Sequence, residues 1–199
     1  PRRAWLLLGA LLHDIGKART AQQDPRSGRT RFPGHPEAGA QMTRAIARRL
    51  RASAQGVAYL EGLVRCHMLP LWLASGPTPD GRVVHRYFRA TGELGVDVAL
   101  FSLADNAAKA PLEPRGIDGL AQGFSTLTRA WFHDRERLVL ARMAVDGRGL
   151  QAALGLPPGP QVGSLLAGLR EAVAAGEVPA DDEAAALAWA RRRLPPAGD

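Results

Sequence analysis

Apolar and polar positions along these 199 residues repeat with the period of helices almost throughout. Residues 3–15 predict a first helix, dense in Leu and Ala and buried on most sides, with Gly16 as its stop. Pro25, Gly28, Pro33, Gly34 and Pro36 mark residues 18–36 as a loop. A second helix then runs to about residue 50: Pro36 suits its first turn, Glu37 its positive end, and Ala38, Met42, Ala45, Ile46 and Leu50 share one face. A third is expected over 54–67, with Val57, Leu60, Leu63 and Val64 inward and Pro70 beyond it. After a loop over 74–81 with Pro77 and Pro79, helices are predicted over 83–90 and 94–110. The latter is apolar at Val96, Leu100 and Leu103 and is closed by Pro111 and Pro114. A longer helix over 117–143 turns Leu120, Phe124, Leu127, Trp131, Leu138 and Met143 inward. No segment alternates with period two, so the expected fold is all-α.

A boundary is expected at Asp146-Gly147, dividing the chain into 1–145 and 146–199. The second part holds a short helix over 150–156, the turn Pro157-Pro158-Gly159-Pro160, and an amphipathic helix with Leu165, Leu166, Leu169 and Val173. A last helix, over 183–194, ends in Arg191-Arg192-Arg193, and a loose tail follows over 195–199. Such short helices bury too little alone and must pack on something else.

Composition narrows the picture. A hydrophobic content of 46% fits a folded domain, and the single cysteine, Cys66, excludes an intramolecular disulfide and fits a reducing compartment, with the cytoplasm as default. No apolar run approaches the roughly 20 residues a membrane span needs, and residues 5–12, though preceded by Arg2 and Arg3, are followed by no cleavage-type sequence of a signal peptide. The chain begins at Pro1, which suggests trimming upstream. The net charge of +7 favours an anionic partner, though a chain this rich in Ala, Gly, Pro and Arg also reflects GC-rich coding. Eight arginines lie between Arg26 and Arg65 against Glu37 and Glu61. Arg44, Arg48 and Arg51, spaced four and three apart, form a stripe suited either to a nucleic-acid backbone or to plain solvent exposure.

The chemistry-bearing residues sit at helix ends. His13 and Asp14 stand side by side after the first apolar run, where a borderline nitrogen and a hard oxygen can reach one divalent ion, or where both simply cap a turn. His35 opens the second helix, as a cap or a ligand; His67 ends the third, as a core histidine or a ligand. Asp105 lies within an apolar helix and needs an ion or a cation, Lys109 four residues on being one choice. His85 and His133 lack such company and are expected on the surface.

This order of His-Asp, His, His and Asp on successive helices resembles the HD superfamily of metal-dependent phosphohydrolases. More narrowly, His13-Asp14-Ile15-Gly16-Lys17, Phe32-Pro33-Gly34-His35-Pro36-Glu37, Arg65-Cys66-His67-Met68-Leu69-Pro70 and Leu103-Ala104-Asp105 resemble the HD region of the tRNA nucleotidyltransferase and poly(A) polymerase family, the CCA-adding enzymes. Asp146-Gly147-Arg148-Gly149-Leu150 and Leu154-Gly155-Leu156-Pro157-Pro158 resemble their carboxyl-terminal helical region. The nucleotidyltransferase head is missing and no Asp-x-Asp occurs, so nucleotide addition by this chain alone is not expected. HD enzymes usually add a histidine from a helix before the His-Asp pair, and only twelve residues precede His13.

The resemblance implies divalent metal, Mg²⁺, Mn²⁺ or Ni²⁺, with His13, Asp14 and Asp105 holding a first ion and His35 and His67 holding a second or orienting the substrate phosphate. Asp14 and Lys17 would be catalytic, the lysine steadying a phosphate. It implies phosphomonoester or 2′,3′-cyclic phosphate substrates, on nucleotides or RNA ends. The alternative is a non-catalytic body that grips tRNA through Arg44, Arg48 and Arg51.

Overall fold

The computed structural model describes residues 2–74, 78–109 and 114–194; the loop residue Pro77, the expected stop at Pro111 and the tail over 195–199 lie outside them. The fold is all-α, as the periodicity predicts. The loop over 18–36 carries one small departure, a pair of two-residue strands, β1 (Gln22–Gln23) and β2 (Thr30–Arg31), with Gln22 opposite Arg31. No helix among the described residues is long and apolar enough to cross a membrane.

The chain forms two compact units. The first comprises Pro1–Thr78 and Ala90–Leu127. Its helices are α1 (Arg2–Leu12), the single turn α2 (Lys17–Thr20), α3 (His35–Arg49), α4 (Ala54–Cys66), α6 (Gly95–Ala107) and the start of α7 (Pro114–Phe132). Small residues draw these helices together. Helix α3 turns Gly39, Ala40, Thr43 and Ala47 towards α4, which presents Leu60, Leu63 and Val64, all fully buried. This corrects the expected face of α3: Leu50 is 62% exposed and Ala45 is exposed. Close approach selects small side chains, so the largest apolar residues end up flanking the seam. Helix α6 is likewise rotated from expectation, burying Val98, Ala99, Phe101 and Ser102 while Leu100 is exposed. Val98, Phe101 and Asp105 follow one another at spacings of three and four, so Asp105 continues the inward stripe.

Gly16 has a different task from the one expected. Helix α1 already ends at Leu12, and Gly16 has ordinary helical dihedrals, φ −67° and ψ −21°. A Cβ there would sit 2.1 Å from the His35 carbonyl oxygen and 2.6 Å from the Gly39 amide nitrogen. The glycine therefore lets the turn after His13-Asp14 lie directly on the first turn of α3.

The second unit comprises Pro79–Arg89 and Thr128–Asp199. It takes in most of α5 (Gly81–Thr91), the end of α7, and the helices α8 (Gly147–Leu154), α9 (Pro160–Ala174) and α10 (Glu183–Arg191). Asp146 and Asp182 cap α8 and α10 by accepting from the Gly149 and Ala185 amides, each at 2.8 Å. Val145, Leu150, Leu165, Leu169, Val173 and Trp189 pack as one core, and the boundary expected at residues 145–146 falls inside this unit. The long helix expected over 117–143 stops at Phe132, and a π-turn follows over Arg135–Val139. Residues 133–137 are all polar, which breaks the apolar stripe needed to continue. His85 also differs from expectation: it is 3% exposed, its Nδ1 donates to the Val139 carbonyl at 3.0 Å, and burial pushes its pKa down. His133 is exposed, as expected.

Candidate metal centre

Four short stretches of the first unit bring the five candidate residues to one place. His13 and Asp14 occupy the turn after α1, His35 is the first residue of α3, His67 follows the last residue of α4, and Asp105 lies near the end of α6. The left-handed Gly34, φ 70°, turns the loop into α3 and sets His35 at its start. Asp14, Lys17, Phe32, His35, His67, Met68, Asp105 and Lys109 are among the residues lining a cavity of about 270 Å³.

The histidines share one arrangement. His13 Nδ1 lies 2.8 Å from the Ala10 carbonyl, His35 Nδ1 2.9 Å from that of Phe32, and His67 Nδ1 2.6 Å from that of Val64. A carbonyl only accepts, so each Nδ1 carries a ring proton, and in the neutral ring each Nε2 presents a lone pair. Those lone pairs converge. His35 Nε2 and His67 Nε2 are 3.3 Å apart, and Asp14 Oδ1 lies 3.5 and 3.9 Å from them. On the other side of the same carboxylate, His13 Nε2 is 3.2 Å from Asp14 Oδ2 and 3.6 Å from Asp105 Oδ1.

Two imidazole lone pairs and a carboxylate oxygen facing one another repel unless a cation lies among them. The ligand atoms of Asp14, His35 and His67 are all within 4.8 Å of one another. Atoms held about 2.1 Å from one ion lie about 3.0 to 3.4 Å apart in octahedral or tetrahedral shells, so these residues fit a divalent ion with small adjustments. Backbone carbonyls on the far side of each imidazole supply the outer support such ligands need.

Electrostatics agree with ligand chemistry. Burial raises the Asp14 carboxyl pKa, but the hydrogen bond and the charge of Lys17, with His13 and His67 adding attraction whenever they are protonated, outweigh it and hold the group below its usual value. Burial drives His67 below its ordinary pKa despite its carbonyl partner, keeping the ring neutral. Lys17 Nζ is 2.6 Å from Asp14 Oδ2, and Lys109 Nζ is 2.5 Å from Asp105 Oδ2. Asp105 therefore has both a lysine and a histidine beside it.

The arginine stripe is only partly formed. Helix α3 ends at Arg49, and Arg51 lies beyond it in the left-handed region, φ 54°. Arg44 is drawn to Glu61 at 3.7 Å, while Arg65 pairs with Glu37 and Glu61, each at 2.9 Å. Arg48, Arg49 and Arg51 are exposed and have no acidic partner among the described residues. Sequence reasoning did not single out Phe32, Met68 or Leu71 as cavity walls, although the first two lie within the Phe32–Glu37 and Arg65–Pro70 motifs.

Residues 1–108 match the HD domain family. Over 182 residues the chain is 36% identical to the A-adding tRNA nucleotidyltransferase of Deinococcus radiodurans, covering 90% of this chain and 40% of that protein. Over 180 residues it is 34% identical to the CC-adding tRNA nucleotidyltransferase of Thermus thermophilus, covering 90% of this chain and 38% of that protein. It thus spans about two fifths of the curated relatives it matches. Since the matched region takes in more than half of its residues, the chain belongs to the HD domain family.

Proposed function

We propose that this chain is a metal-dependent phosphohydrolase module acting on a phosphomonoester or a 2′,3′-cyclic phosphate of a nucleotide or an RNA end. The observation that carries this reading is the convergence of the His35 and His67 Nε2 atoms on Asp14 Oδ1, with the ring protons held on backbone carbonyls. Asp14, His35 and His67 would hold one divalent ion, Mg²⁺, Mn²⁺ or Ni²⁺; His13 faces the other oxygen of Asp14, and Asp105 beside His13 completes the set. Such an ion, when bound, offsets charge on phosphoryl oxygens and makes water easier to deprotonate. The protein contributes fixed ligands, a partly enclosed cavity and a cation: Lys17 steadies the phosphate beside Asp14, and Phe32 and Met68 offer apolar wall to a nucleoside. The test is release of phosphate from a nucleoside monophosphate, and ring opening of a 2′,3′-cyclic nucleotide, with each divalent ion. Activity that requires an ion and is lost in His35→Ala supports the reading; no turnover of either substrate with any ion contradicts it.

The second reading, an RNA-gripping body, draws on the exposed and acid-free Arg48, Arg49 and Arg51 and on relatives named for adding nucleotides to tRNA. Salt-sensitive tRNA binding by an ion-free, inactive chain favours it over hydrolysis. In either reading the module works in the reducing cytoplasm, where the buried Cys66 stays a thiol.

A further inference from the structure

Of the 26 basic side chains only two are lysines, Lys17 and Lys109, and both lie at the rim of the same cavity. Each lies against a different carboxylate of the site: Lys17 Nζ on Asp14 Oδ2 at 2.6 Å, Lys109 Nζ on Asp105 Oδ2 at 2.5 Å. In both carboxylates the other oxygen faces an imidazole, His35 for Asp14 and His13 for Asp105. An arginine in either place would fork onto both oxygens and block them, whereas an ammonium group holds one oxygen at a single point and can swing away. The lysine side chains are 39% and 58% exposed, and besides its carboxylate Lys17 Nζ has the Phe32 ring beneath it, 5.5 Å to the ring centre.

We propose that Lys17 and Lys109 form an anion clamp that a divalent ion releases from Asp14 and Asp105, so that the site takes a phosphoryl dianion only when the ion is bound. The inference rests on the metal-binding reading above. Before the ion enters, the two ammonium groups neutralise the two carboxylates and an incoming phosphate meets no free cation. Once the ion takes the carboxylates, both lysines are free to turn to the phosphate oxygens. One divalent ion, two lysines and two aspartates then leave two positive charges, which match a phosphomonoester dianion better than a singly charged cyclic phosphate. Binding of ion and phosphate is thereby coupled, each strengthening the other by the same factor.

Titration calorimetry of the whole chain with Mg²⁺ and Mn²⁺, with and without inorganic phosphate, tests this. In the wild type, phosphate tightens ion binding. In Lys109→Met the ion binds about two- to fivefold more tightly without phosphate, since a weak exposed pair no longer has to be broken, and most of the phosphate effect disappears. Arg19→Ala, which removes a nearby charge touching neither carboxylate, leaves both values near wild type. An unchanged Lys109→Met, or an equal gain in Arg19→Ala, overturns the clamp while leaving the metal reading intact; a wild type that binds no ion overturns both. A second measurement needs no variant. Selective labelling of lysine gives two side-chain NMR signals, which should move on adding Mg²⁺ and again on adding phosphate. Signals that stay still through an Mg²⁺ titration that calorimetry shows to be saturating also overturn the clamp.

Discussion

Replacing Gly16 by Ala isolates one steric contact on which the candidate site depends. The backbone at Gly16 is right-handed helical, so alanine meets no dihedral strain; through the unfolded chain alone it should stabilise by about 0.4 to 1 kcal/mol. The added Cβ, however, would lie 2.1 Å from the His35 carbonyl oxygen, 2.6 Å from the Gly39 nitrogen and 3.0 Å from the Gly39 Cα. All three are backbone atoms, which no rotamer change can move. Ordinary contact begins near 3.4 Å, so the turn carrying His13 and Asp14 must part from α3 by about 1.3 Å. Forced overpacking of this kind costs about 1 to 3 kcal/mol, and the absence of any flexible neighbour puts this site at the upper end. At about 2 to 4 °C per kcal/mol for a chain of this size, Tm should fall by about 4 to 12 °C. The same shift moves Asp14 away from His35, now 3.5 Å distant, when metal ligands tolerate only about 0.2 Å. Circular dichroism melting and calorimetric metal titration, with Gly163→Ala in α9 as a control whose Cβ meets nothing within 4 Å, read both effects. Gly16→Ala should lose stability and at least about tenfold in metal affinity. A variant as stable as wild type with unchanged metal affinity would refute the idea that this close approach sets the ligand spacing.

Two further predictions concern regions away from that turn. Glu171 is ion-paired with Arg86 at 2.5 Å and lies 3.8 and 3.9 Å from Arg89 and Arg82; the hydrogen bond from Arg86, opposed by burial, holds its carboxyl below the ordinary 4.5. Because this pKa is lower in the folded than in the unfolded chain, the stabilisation is complete above the ordinary value and fades as pH falls towards the depressed one. Urea unfolding should therefore show Glu171→Gln about 1 kcal/mol less stable at pH 7, with the gap closing in acid, whereas a gap independent of pH would contradict this assignment. If the exposed arginines meet RNA, Arg48→Ala with Arg51→Ala should weaken tRNA binding and reduce its salt slope by about 0.7 to 0.9 for each phosphate no longer neutralised; an unchanged slope would leave them as solvated surface.

Much of the site was legible in the sequence because its signals are local. A histidine and an aspartate after an apolar run, a Gly-His-Pro-Glu helix start, a histidine shortly before Pro70 and a carboxylate in an apolar helix can each be seen without knowing the fold. What could not be read was how each helix is turned by the neighbours it meets. Hydrophobic size placed Leu50 and Leu100 inward, yet both are exposed, since α3 meets α4 through Gly39, Ala40, Thr43 and Ala47 and selects smallness there. Gly16 looked like a helix stop, because nothing in the neighbouring sequence announces the His35 carbonyl lying against it. His85 looked like surface, since its burial comes from a carbonyl 54 residues away. Lys109 was visible only as a possible partner of Asp105; its place opposite Lys17 on one cavity requires α6 and the turn after α1 to be brought together.

Asp14 joins two sets of nitrogen and oxygen donors into one candidate cation site, its Oδ1 facing His35 and His67 and its Oδ2 facing His13. The most direct measurement is calorimetric titration of the wild type and of Asp14→Asn with Mg²⁺, Mn²⁺ and Ni²⁺. The expected result is saturable binding of at least one ion by the wild type and its loss in Asp14→Asn with the fold intact by circular dichroism. A wild type that binds none of the three, or an Asp14→Asn chain that binds as tightly as wild type, would contradict the metal-binding role of this carboxylate.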